Sequence, residues 1–107
     1  MPVIKIFCAQ CPKPEATDRL AQALRSLCTG PMGANSDAIQ VMVVPGLQIL
    51  DGAPVYVEAH YRDRPDRKGP ALEKFLEGID QAVQAAFGFK PRIRSFAVEQ
   101  STLGAVR

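Results

Sequence analysis

The sequence predicts an α/β fold built from two successive β-α-β units, a four-stranded sheet with two helices on one face. Three observations carry this prediction. Four runs rich in β-branched and aromatic residues are separated by Pro and Gly turn signals. Two longer segments repeat apolar residues at the 3.6-residue period of an amphipathic helix. One helical segment falls between the first and second strands and the other between the third and fourth, as in parallel pairs joined by right-handed crossovers.

Val3 to Cys8 (VIKIFC) reads as the first strand, stopped by Pro12 and Pro14. From Glu15 to Cys28, Leu20, Ala23, Leu24, Leu27 and Cys28 recur at helical spacing. Glu15 and Asp18 stand in the first turn and Gly30-Pro31 closes the segment. Ile39 to Val44 (IQVMVV) is the second strand, ended by Pro45-Gly46. Asp51-Gly52 marks the next turn, before a third strand at Val55 to Tyr61 (VYVEAHY). After the charged stretch Arg62 to Gly69, Pro70 stands where a first helical turn begins. Leu72, Phe75, Leu76, Ile79, Val83, Ala86 and Phe87 then keep helical period, with Gly88 as C-cap. Ile93 to Val98 supplies a fourth strand, so the second unit starts about 52 residues after the first.

A length of 107 residues with 47% hydrophobic content fits one compact domain. A net charge of +2 gives too weak a field to argue for nucleic acid or an anionic membrane as partner. No apolar run approaches the roughly 20 residues of a spanning helix, and the first residues do not read as a signal peptide, so a cytoplasmic location is expected. Three cysteines cannot all pair within one chain, which fits a reducing compartment. Strands one and two are apolar at nearly every position, as strands buried on both faces are. Two helices can cover only one face, so other copies of the chain are the simplest cover for the second.

Cys8-Ala9-Gln10-Cys11 is a C-x-x-C between a strand and a helix, where a thioredoxin-like redox site would stand. The space between Val44 and Ala53 is too short for the helix that fold requires. Zinc would need Cys8, Cys11, Cys28 and His60, a set with a single close pair. His60 is the only histidine and reads as a strand residue facing solvent or an interface. No GxGxxG or GxxxxGK[ST] is present, leaving nucleotide binding by those routes unsupported. Arg62, Arg64, Arg67 and Lys68, interleaved with Asp63 and Asp66, read either as a solvated loop or as an anion clamp at a strand's end. Pro2 follows the initiator Met; after Met removal it would carry a free secondary amine. An α-amine titrates far below a Lys side chain, and apolar or cationic surroundings depress it further, so its neutral form can act as a base near pH 7.

MPVIKIF, a turn and an amphipathic helix, IQVMVVPG, DGAPVYVEAHYRDR, a second helix and FKPRIRSFAVEQ together resemble the tautomerase superfamily over nearly the whole chain. The full-length arrangement is similar to its macrophage migration inhibitory factor and 5-carboxymethyl-2-hydroxymuconate isomerase branches. VMVVPGLQILDG, followed by strand and helix, is similar to the isomerase in particular. The resemblance implies a homotrimer whose sheets form a barrel and an isomerase or tautomerase that needs no cofactor. It implies Pro2 as the general base and acid acting on a small carboxylated keto-enol or dienol. It also implies Arg62, Arg64 and Lys13 as cations for the substrate carboxylate and the developing enolate. Thr29 to Val41 contains no Lys or Arg where the family often has another cation. A noncatalytic, ligand-sensing module of ferredoxin-like type has the same element order and stands as the alternative. The C-x-x-C oxidoreductase is the weaker one.

Overall fold

The computed structural model describes Met1–Arg107 and contains the six expected elements. They are β1 (Val3–Phe7), α1 (Pro14–Thr29), β2 (Gln40–Val44), β3 (Tyr56–Arg62), α2 (Pro70–Phe87) and β4 (Arg92–Val98). Short 3₁₀ turns stand at Ser36–Ala38, Pro65–Arg67 and Gln100–Thr102. Both helices begin at a proline, whose missing N–H costs nothing in a first turn. Gly88 ends α2 in the left-handed conformation at φ 78°, its N–H bonding to the Gln84 carbonyl at 2.8 Å. No helix is long and apolar enough to cross a membrane.

The sheet runs β2-β1-β3-β4. β1 is parallel to β2, β3 is parallel to β4, and the two pairs meet through the antiparallel β1–β3 ladder. This order corrects the ferredoxin-like alternative. A split β-α-β inserts a third strand between its parallel pair, whereas here the two strands of each unit are direct neighbours. The segment between Val44 and Tyr56 holds neither helix nor strand, so it has no thioredoxin helix.

Alternation sorts the strands into two faces. Ile4, Ile6 and Cys8 point to the helices with Val55, Val57, Ala59 and Tyr61, and all are buried there with Leu20, Leu24, Cys28, Phe75, Ile79 and Val83. Leu27 packs over Gly78, where a Cβ would come within 2.3 Å of Leu27 Cδ2, so the missing side chain lets the helices approach. The opposite face is more polar than the apolar composition of β1 and β2 suggests. Its middle row, set by the register, is Met42, Lys5, Glu58 and Arg94. Tyr56 Oη donates to Glu58 at 2.9 Å, and His60 Nε2 lies 3.2 Å from the other carboxylate oxygen. Those hydrogen bonds, with the nearby Lys5, hold the Glu58 carboxyl below its usual range. His60 stacks on Phe96 at 4.8 Å between ring centroids, and Phe7 on Tyr56 at 5.8 Å.

Phe75 is fully buried and meets Tyr61 edge to face at 6.2 Å. Replacing it with alanine removes the largest fully buried side chain and leaves a cavity. Phe75→Ala is expected to cost about 3–5 kcal/mol in denaturant unfolding at fixed protein concentration.

Candidate active site

The antiparallel ladder places the start of β1 beside the end of β3. Val3 pairs with His60, so Pro2 lies alongside the Tyr61–Arg62 end of β3. Pro2 is buried, and its carbonyl accepts a hydrogen bond from Gln40 N at 3.0 Å, which extends the β1–β2 pairing back to it. A cavity of about 370 Å³ opens at this end. Met1, Asn35, Ala38, Arg62, Arg64, Arg67 and Gln100 line it. Met1 is joined covalently to the Pro2 nitrogen, so the cavity wall that Met1 forms is also the side from which that nitrogen is reached. Burial first, and then the Arg62 and Arg67 guanidiniums, hold the Met1 amine below its ordinary value of 8.0.

The three arginines differ in what holds them. Arg67 is only 4% exposed, which of the two readings of this run disfavours the solvated loop at that position. Pro65 starts a single 3₁₀ turn whose third residue, Arg67, turns inward. There its Nε donates to the Met32 carbonyl at 2.8 Å and its Nη1 to the Arg62 carbonyl at 3.1 Å. Met32 is delivered by the turn after α1, where Ala34 N bonds to Cys28 O at 2.8 Å and Gly33 takes a φ of 58°. Arg62 has a buried Nε with no hydrogen-bond partner. Arg64 is engaged by Asp66, with Nε donating to Oδ1 at 2.9 Å and Nη2 to Oδ2. Cys28, fully buried, is close enough to Met1 and Arg67 to interact with their charges. Burial pushes its thiol up to about 11.

Of the residues picked from the sequence, Pro2, Arg62 and Arg64 therefore meet at one end of the sheet, and Lys13 does not join them. Lys13 is the exposed residue that precedes α1, reached only after β1 has run its full length away from Pro2. Cys8 and Cys11 lie at that far end too. Burial raises the Cys8 thiol, the opposite of what a reactive redox cysteine needs. Sequence reasoning missed the distinct role of Arg67 and the amides of Asn35 and Gln100. The one signal in the sequence for Arg67 is Pro65, which marks a tight turn inside the charged run. A second, more apolar cavity of about 520 Å³ lies at the far end, against Phe7, Leu47, Ile49, Ala53, Tyr56 and Arg92. Asp51 also lines it, and no amine does.

Lysine lacks the planar fork that reaches two carbonyls at once. Arg67→Lys is therefore expected to lower unfolding free energy by about 1–3 kcal/mol, measured in denaturant. A loss below about 0.5 kcal/mol would return Arg67 to the solvated loop.

No family model matches the sequence, and no curated protein does. Solved structures match it over almost its full length. A fused wild-type 4-OT, a symmetric trimer, superposes with a TM-score of 0.79 at 16% identity, covering 96% of this chain and 90% of that one. A macrophage migration inhibitory factor-like protein from Entamoeba histolytica gives 0.76 at 12% identity over 98% and 95%. Pt0534 inactivated by 2-oxo-3-pentynoate gives 0.76 at 14% identity over 96% and 90%. With its adjacent parallel pairs, its helices on one face and these neighbours, the chain has the fold of the tautomerase superfamily.

Proposed function

We propose that this chain is a cofactor-independent keto-enol tautomerase or isomerase acting on small carboxylated enols, dienols and keto acids. Its general base is the Pro2 amine, freed by removal of Met1. The observation that carries this reading is the cavity at the Pro2 end, where the residue bonded to the Pro2 nitrogen shares walls with three arginines. The same burial and the same guanidiniums that lower the Met1 amine would act on the Pro2 amine one residue deeper.

Enolisation of a 2-keto acid breaks a C–H bond beside the carbonyl. The neutral Pro2 nitrogen takes that proton, and the electron pair of the broken bond passes to the carbonyl oxygen as an enolate. Arg62 and Arg67 supply positive charge for that oxygen and for the substrate carboxylate. Arg67 does so at little cost in reorganisation, because two carbonyl bonds already fix it. In the reverse direction the protonated amine returns the proton to carbon. Pro2 is fixed by its ring, by burial and by the Gln40 bond, so its nitrogen holds one orientation. One neighbour was inactivated by a 2-keto carboxylate, a ligand of this chemical class.

The working unit in this reading is a homotrimer. The 4-OT neighbours are trimers. The chain also exposes Leu47, Ile49, Leu50 and Phe96 on or beside its open sheet face, an apolar surface suited to other copies. Lys13 enters the site only if a neighbouring copy brings it there.

Intact mass is expected to lack Met1, and sedimentation to give about three times 11.6 kDa. Phenylenolpyruvate, a small enol carboxylate, should be ketonised. Pro2→Ala, which keeps an amine but loses the ring, should lower kcat by about 10²-fold or more. Unchanged turnover in the folded variant would refute the mechanism. The pH dependence has a definite sign. For enolisation of phenylpyruvate, a base must be neutral to accept a proton, so kcat/KM falls as pH drops through the amine pKa. The neighbouring guanidiniums depress that pKa, so Arg62→Ala should move the acid limb to higher pH while weakening carboxylates more than their esters.

A further inference from the structure

We propose that the Arg64–Asp66 pair acts as a charge filter at the rim of this cavity, withholding Arg64 from substrate and favouring enols and keto acids with one carboxylate and an uncharged far end. The inference rests on the tautomerase reading and adds the substrate class.

Arg64 lines the cavity with Arg62 and Arg67, but its fork is already occupied, both Nε and Nη2 donating to the Asp66 carboxylate. The partners are two residues apart on one short turn, so the pair closes locally with little chain ordering. It lies over Gly33 on the facing loop: a Cβ there would stand 3.7 Å from Arg64 Nη2 and 3.9 Å from Asp66 Oδ2. The pair therefore occupies the gap between the 30–35 turn and the 62–67 loop, at the mouth. Deeper in, the anchored Arg67 and the unpartnered Nε of Arg62 suit one carboxylate and one enolate oxygen. A second carboxylate at the far end of the substrate would meet an Arg64 already neutralised by Asp66 in place of a free guanidinium. The other charges of the loop, Asp63 and Lys68, lie 3.7 Å apart and offset each other.

The test compares phenylenolpyruvate with its analogue carrying a para-carboxylate on the ring, which undergoes the same proton transfer and differs only in distal charge. The readout is the ratio of kcat/KM for the dianion to that for the monoanion. The wild type should prefer the monoanion. Asp66→Asn and Asp66→Ala should raise the ratio about fivefold at low salt, the scale of an exposed ion pair. The gain should shrink at high salt and vanish in Asp66→Ala, Arg64→Ala. An unchanged ratio in both Asp66 variants, with Pro2-dependent turnover intact, overturns the filter and leaves the tautomerase reading standing. Absence of Pro2-dependent turnover in the wild type overturns both.

Discussion

The antiparallel pairing of β1 with β3 is the contact on which the rest of the molecule depends. β1 begins just after the proline and β3 ends at the arginine loop, so only opposed directions bring the two to the same end of the sheet. The register is held by burial on the helix side. A slip of one residue would turn Ile4 and Ile6 out of the core and bring Lys5 into it. Tyr61 adds a second lock, because its ring is buried against Phe75 of α2 one residue before Arg62. The core thus fixes the site by fixing which residues of β1 and β3 face each other.

That geometry gathers charges of one sign, and their mutual repulsion opposes the fold. Arg62, Arg64 and Arg67 converge on a chain terminus that is itself an amine. Two devices offset the repulsion. Asp66 takes Arg64 at the rim, and the carbonyls of Met32 and Arg62 take Arg67 inside. Neutral carbonyl dipoles satisfy the guanidinium without cancelling its charge, as a buried carboxylate would. In the proposed reading the positive potential therefore survives where an amine is to be kept neutral and an oxyanion stabilised. Burial and the neighbouring guanidiniums lower the Arg67 pKa from its ordinary value, yet an arginine stays protonated at any pH at which the protein is folded.

Much of this was legible in the sequence because it depends on local pattern. The 3.6-residue period of Leu72 to Phe87 located α2, and Pro12, Pro45-Gly46 and Gly88 marked the ends of elements. Pro2 and Arg62 could be paired as candidates once the strand order was known, since both stand at strand ends. Arg67 could not be separated from its charged neighbours. Its burial depends on a carbonyl 35 residues earlier, presented by a turn whose shape rests on Gly33. The charged row of the open face was hidden for a similar reason. Lys5, Glu58 and Arg94 sit far apart in the chain, and only the register makes them neighbours. Lys13 shows the reverse: it is the counterpart of the arginine loop in the other half of the chain, and that equivalence places it at the other end of the sheet.

In the proposed reading, the internal repeat also explains why the chemistry belongs to one end. Pro2-Val3 leads into β1 as Pro54-Val55 leads into β3, and each proline stands beside the loop that follows the other central strand. The two ends are alike in backbone but not in what their prolines can do. Pro54 is acylated by Ala53 and its nitrogen cannot accept a proton. Pro2 alone has a nitrogen that processing can free. In the proposed reading a cation serves the proton transfer only beside a free Pro2 amine, and Asn35, Gln100 and three arginines line the cavity at that end. The cavity at the other end is lined mainly by apolar residues, Phe7, Leu47, Ile49, Ala53 and Tyr56, with Asp51 and Arg92 beside them. On that reading a duplicated scaffold with one ionisable terminus uses one end for proton transfer, because its other proline has no nitrogen that can take a proton.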